Sequence, residues 1–218
     1  MTSTDISRPR FARMYLRGAA SAEKRGATDH RRRLLDGVRG GVVEIGAGHG
    51  LNFALYPREV TGVVAIEPEP TLRAEAELAA RRAPVPIRVL PGVADALPLP
   101  DGSADAAIAS LVLCSVPDQA RALAEIRRVL RPGGELRFYE HVVPRRQPKR
   151  LMLQAADRSR IWPAVAGGCH PARDTTGQIV HAGFEIEEIE RFGFRAQPLL
   201  PSIPHVLGLA RRVGSQPS

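Results

Sequence analysis

Cysteine is scarce: Cys114 and Cys169 are the two in a chain of 218 residues. That excludes a disulfide-stapled scaffold. No Cys/His cluster has the linear spacing of a zinc module, so no metal is expected. Apolar runs are short, and none approaches the length that crosses a bilayer. Residues 1–10 are polar and basic, without the apolar stretch of a secretory signal, so a cytoplasmic location with free thiols is expected. Aromatics make up only 5% of the chain. Platforms that stack nucleic-acid bases need aromatics among their cations, and the arginine runs here have few. The net charge of +8 comes almost wholly from arginines spread along the whole chain. Nucleic-acid binding is therefore not expected, despite the favourable sign. What remains is one domain of globular composition, long enough to bury a real core.

The most informative stretch is residues 42–53. The apolar run Val42, Val43 and Ile45 stops in glycines at 46, 48 and 50, and apolar residues resume at Leu51, Phe53, Ala54 and Leu55. This predicts a buried strand, a tight turn and the start of a helix. Glycines allow the sharp turn and a close approach to a ligand. The spacing Glu44-x-Gly46-x-Gly48-x-Gly50 is neither the dinucleotide fingerprint nor a P-loop. An acidic residue in the strand end would repel a pyrophosphate and suits a cationic or zwitterionic ligand.

Before this stretch, two helices are expected: Phe11 to Lys24, and His30 to Val38, the latter with Arg31–Arg33 as a solvated face. After it, Val60–Ile66 reads as a second buried strand tipped by Glu67 and Pro68, followed by a helix over 71–82. An acidic residue about 20 positions beyond a glycine loop fits a ribose-binding carboxylate. Glu69 reads as a helix cap. Ile87–Leu90 and Ala106–Leu113 read as strands three and four. A helix from Asp118 ends at Arg131-Pro132-Gly133-Gly134, where Pro-Gly-Gly is expected to turn the chain, and a fifth strand spans Glu135–His141. An amphipathic helix is expected over 148–163, with Met152 and Trp162 either packing or lining a pocket. A helix capped by Asp174 and two final strands, Phe184–Phe192 and His205–Arg211, complete the chain.

The glycine loop with Glu67, the segment Gly92 to Asp105, and Val-Leu-Arg-Pro-Gly-Gly-Glu-Leu at 129–136 resemble class I S-adenosylmethionine-dependent methyltransferases. The resemblance implies an α/β, Rossmann-like fold: a seven-stranded, mostly parallel sheet with an antiparallel edge strand and helices on both faces. It implies S-adenosylmethionine as cofactor, held by Glu44, Gly46, Ala47, Gly48, Gly50, Asn52, Glu67, Pro68, Val93, Ala94, Asp95 and Leu111. Val93 stands where the family carries an acidic residue toward the adenine. Residues 1–40 are then a helical segment over the cofactor and acceptor site, with Tyr15 a candidate for its wall. Residues 41–218 are the methyltransferase domain, with an acceptor cap near 145–175.

A narrower resemblance lies in Leu-Val-Leu-Cys-Ser-Val (111–116), Glu140-His141-Val142, Gly168-Cys169-His170 with Arg173-Asp174-Thr175, and Pro204 to Gly208. These are similar to the methyltransferase-like protein 7 family, whose animal members are membrane-anchored thiol S-methyltransferases. Residues 1–10 do not match that apolar segment, so membrane anchoring is not among the expectations carried over. The resemblance implies a small-molecule acceptor, with a thiol the first expectation. A quinone precursor or a phospholipid headgroup is the alternative within the same chemistry. A non-catalytic binding protein on the same fold is the alternative outside it. The candidates for an acid/base or orienting role are His141 and His170, since histidine titrates near neutrality. Each also has an ordinary structural reading, as do Cys114 and Cys169, expected as packing or pocket wall. Oligomeric state is left open by the sequence.

Overall fold

The computed structural model describes residues 6–143, 151, 168–197 and 202–214. The helix expected over 148–163 lies outside the described residues, apart from Leu151. Two helices come first, α1 (Pro9–Lys24) and α2 (Ala27–Leu35). Then come β1 (Gly40–Ile45), β2 (Val60–Ile66), α3 (Pro70–Ala80) and β3 (Ile87–Leu90). After these come β4 (Ala104–Ser110), α4 (Gln119–Val129) and β5 (Leu130–His141). The last described elements are α5 (Thr175–His181), β6 (Phe184–Phe194) and β7 (Ile203–Arg212).

The strands form one seven-stranded sheet in the order β3-β2-β1-β4-β5-β7-β6. β1 to β5 pair in parallel, and β7 runs antiparallel to both β5 and β6. The antiparallel pair is thus at the sheet edge as expected, with β7 the reversed strand and β6 outermost.

The alternation of side chains along each strand divides the core into two layers. Val43, Ile45, Ala107, Ala109, Leu136 and Phe138 pack with Leu123, Ile126 and Val129 of α4 and Ile179 of α5. Val42, Val63, Ala106, Ile108 and Tyr139 pack on the other face with Leu34 and Leu35 of α2, Ala76 of α3 and Phe53. Both faces are covered, which explains why the central strands read as continuous apolar runs. Asp118 caps α4 by accepting from Arg121 N at 3.0 Å, and Asp174 caps α5 by accepting from Gly177 N at 3.1 Å.

Three expectations are corrected. No α-helix follows the glycine loop; Phe53–Leu55 is a single 3-10 turn. The side chains of Asn52 and Tyr56 are drawn inward to Glu44, and Pro57 follows at once. Secondly, Pro-Gly-Gly does not separate a helix from a strand. Leu130 already pairs with Ala104, and the sheet register jumps to Ala106–Glu135, so residues 131–134 bulge within β5. Thirdly, Arg31 is not solvated. It is buried, with an ion pair to Glu23 at 3.2 Å and a hydrogen bond to Ser110 Oγ at 3.3 Å, whereas Arg32 and Arg33 are exposed.

Candidate functional site

A cavity of about 630 Å³ opens at the C-terminal ends of β1, β2 and β4. This is where open α/β sheets bind ligands, and the volume is in the range of small-molecule sites. Its floor is the glycine loop. Gly46 and Gly48 hold φ of 62° and 59°, a left-handed conformation costly for other L-residues. A Cβ on Gly46 would lie 2.6 Å from Val112 Cγ2, so this glycine also lets β1 approach the turn after β4. Gly48 faces the cavity, where Tyr15 of α1 lies over it.

Glu67 ties the loop to the neighbouring strand tip. Its Oε2 accepts from Gly48 N at 2.7 Å and its Oε1 from Glu69 N at 2.9 Å. The side chain is buried yet borders the cavity. Burial pushes its carboxyl up to about 7, against the pull of the two N–H donors. Each oxygen keeps a second acceptor direction. Glu69 caps α3, accepting from Leu72 N at 2.8 Å.

Of the residues expected to hold a cofactor, Gly46, Gly48, Glu67, Pro68, Val93, Ala94, Asp95 and Leu111 line this cavity. Glu44, Ala47, Gly50 and Asn52 are not part of its lining. Glu44 projects into the α2/α3 layer instead. Its carboxylate accepts from Asn52 Nδ2 at 2.8 Å and Tyr56 OH at 2.6 Å, which holds the base of the loop. Burial raises its carboxyl from 4.5 to about 7, and the two side-chain hydrogen bonds oppose the shift. A raised carboxyl means that the folded chain keeps a proton the unfolded chain gives up. The resulting stabilisation is present below 4.5, is lost as pH rises, and is gone above about 7. Thermal melts of Glu44→Gln are expected to show a shallower decline across that window than the parent protein.

Tyr15 and Phe11 of α1 form part of the cavity wall, with Ile6 and Arg8 before them. His170 also borders the cavity; His141 does not. The imidazole of His141 sits behind the wall, its Nδ1 3.5 Å from Cys114 Sγ and 3.2 Å from Cys169 Sγ. Hydrogen bonding with Cys169 and burial push the Cys114 thiol up to about 12. That removes it as a nucleophile at neutral pH.

In the sequence Glu140 stands out only as part of a motif. It is fully buried and organises the wall. Leu111 turns the chain after β4 with φ of 60°, donating its N–H to Tyr139 O at 2.6 Å. The next three N–H groups then converge on the Glu140 carboxylate: Val112 at 2.9 Å, Leu113 at 2.8 Å and Cys114 at 3.0 Å. On the carbonyl side, Arg173 donates to Leu113 O at 3.2 Å and Val116 O at 2.5 Å, and His170 N donates to Cys114 O at 2.7 Å. The motifs at 111–116, 140–142 and 168–175 are thus parts of one wall. A glutamate inside the fifth strand, directly after Phe138 and Tyr139, is the available signal.

A methyltransferase domain family matches residues 43–138. Human thiol S-methyltransferase TMT1B is 36% identical over 188 residues, covering 81% of this chain and 73% of the relative. The mouse protein of the same name is 34% identical, with the same coverage. An S-adenosylmethionine-dependent methyltransferase from Thermotoga maritima superposes with a TM-score of 0.68 at 21% identity, covering 93% of this chain and 97% of the other. Among the described residues no helix is long and apolar enough to cross a membrane. A glycine-floored cavity at the strand ends, a buried carboxylate beside it and relatives of this similarity agree: the chain belongs to the class I S-adenosylmethionine-dependent methyltransferases, in the family of the TMT1 proteins.

Proposed function

We propose that this enzyme methylates the sulfur of a small thiol. The observation that carries the reading is the similarity to TMT1B across 81% of the chain, including the wall segments beyond the cofactor loop. When bound, S-adenosylmethionine supplies an activated methyl group on a positively charged sulfur. Gly46, Gly48, Glu67, Val93, Ala94 and Asp95 hold it. The glycines give it room, and the Glu67 carboxylate accepts from its sugar hydroxyls. The acceptor enters between Leu111–Val116 and Gly168–His170, beneath Phe11 and Tyr15 of α1. The apolar side chains among them, Phe11, Leu111, Val112 and Val116, exclude water and suit a step in which charge is lost, while the wall fixes the approach of the attacking sulfur.

Only the thiolate attacks well, and a thiol near pKa 8.5 supplies a useful fraction of it at neutral pH. His170, which borders the cavity, orients the thiol or takes its proton, whereas His141 lies behind the wall. His170→Gln is expected to lower turnover by up to about a hundredfold at neutral pH, the low end of general acid–base effects. The loss should shrink as the acceptor ionises by itself at alkaline pH. The defining experiment is transfer of labelled methyl to a panel of thiols, quinols and phosphatidylethanolamine. Labelled thioether is the expected product. Labelled quinol ether or N-methylated lipid without thioether would overturn the reading.

A further inference from the structure

Behind the cavity wall, three segments far apart in sequence bring soft donor atoms to one point. Cys114 comes from the turn after β4, His141 from the end of β5, and Cys169 from the segment before α5. Their Sγ, Nδ1 and Sγ atoms all lie within 4.8 Å of one another. The two sulfurs are 3.6 Å apart, and each is close to the imidazole nitrogen, at 3.5 Å from Cys114 and 3.2 Å from Cys169. A tetrahedral zinc bonds thiolates at about 2.3 Å and imidazole at about 2.0 Å, which places two sulfurs about 3.8 Å apart and sulfur and nitrogen about 3.5 Å apart. The observed triangle has nearly these edges.

We propose that Cys114, Cys169 and His141 form a zinc site. Two thiolates and an imidazole are the donor set that favours zinc over harder divalent ions. Charge supports this: two thiolates balance Zn²⁺, so a neutral unit occupies a place where both cysteines are buried. Binding is written as Zn²⁺ plus two thiols and a neutral imidazole giving the bis-thiolate complex and two released protons. A disulfide would use the same sulfurs but gives the imidazole nitrogen between them no role. The three protein ligands leave a fourth position for water or an external thiolate. Linear spacing hides the site, because its members are separated by 27, 28 and 55 positions. The metal would pin Gly168–His170, part of the cavity wall, to the ends of β4 and β5. Metal binding at these three side chains does not depend on which acceptor is methylated.

The test uses the full-length protein with its thiols kept reduced. About one zinc per chain is expected by elemental analysis. Cobalt(II) exchanged into the site should give the intense near-ultraviolet bands of cobalt–thiolate bonding and the visible bands of tetrahedral cobalt. Cys169→Ser and His141→Gln should each weaken metal binding at least about tenfold, no less than the loss of an outer-shell partner. A parent protein whose cobalt spectrum lacks thiolate bands would overturn the proposal, and it needs no variant to fold. So would a Cys169→Ser protein that folds and binds metal as tightly as the parent.

Discussion

Glu140→Ala is expected to lose about 3–6 kcal/mol of stability, a large share of the roughly 5–15 kcal/mol that holds a domain folded. The carboxylate accepts from the N–H groups of Val112, Leu113 and Cys114, and no part of it reaches solvent. Truncation leaves the buried donors of Leu113 and Cys114 and the partly buried one of Val112 without an acceptor, at about 1–3 kcal/mol for each buried group, less what the turn recovers by relaxing. Relaxation is easy because Leu111 already sits at φ 60°, a conformation held only by its surroundings. Denaturant or thermal unfolding measures the loss. Glu140→Gln is the informative companion. Its carbonyl oxygen can still serve Val112 and Leu113, but its amide nitrogen would face the N–H of Cys114, donor against donor. An intermediate stability is expected, with impaired turnover, because Leu111, Val112 and Ser115 line the cavity. An alanine variant as stable as the parent would show that the turn finds other acceptors.

This glutamate marks the boundary of what the sequence makes legible. The strands could be read because both faces of the sheet are covered, so Ala106 to Ala109 are apolar without interruption and Val42 to Ile45 are broken only by Glu44. The glycine loop could be read because its backbone angles leave few other residues possible. Polar residues serving one another across the fold could not. Glu44 was expected at the ligand, and its position in the strand end gave no sign that Asn52 and Tyr56 would take both oxygens. Those same contacts removed the helix that the spacing of Leu51, Phe53 and Leu55 predicts. Arg31 lies in a run of three arginines, a pattern that predicts a solvated face. Only the placement of Glu23 and Ser110 draws it inside. In each case a partner distant in sequence overrides a local pattern. His141 shows the same limit: its position at a strand end suggested the active site, while the chain fold turns its ring toward two thiols.

Replacement of Glu67 is expected to weaken S-adenosylmethionine binding by about 1.5–3 kcal/mol, the value of hydrogen bonds to a charged group. The pH dependence separates this role from the purely structural one. Glu67 holds the glycine loop through Gly48 N and the start of α3 through Glu69 N, so alanine would loosen both whether or not the side chain touches the cofactor. In the free protein, burial holds this carboxyl near 7 rather than 4.5. A cofactor that donates sugar hydroxyls to it and carries positive charge nearby favours the ionised form and lowers that value in the complex. The sign follows: affinity is full above about 7 and falls as pH drops, up to about tenfold per unit, until the lowered value of the complex is reached. Near neutrality, binding should release a fraction of a proton, seen in calorimetry as a heat that depends on the buffer's ionisation enthalpy. Glu67→Gln keeps the shape of the side chain and removes the titration. It should bind more weakly than the parent at pH 8 and show a flat profile below, with the buffer dependence gone. A parent profile equally flat, beside a weakly binding glutamine variant, would assign Glu67 to holding the loop alone and leave the sugar to other partners.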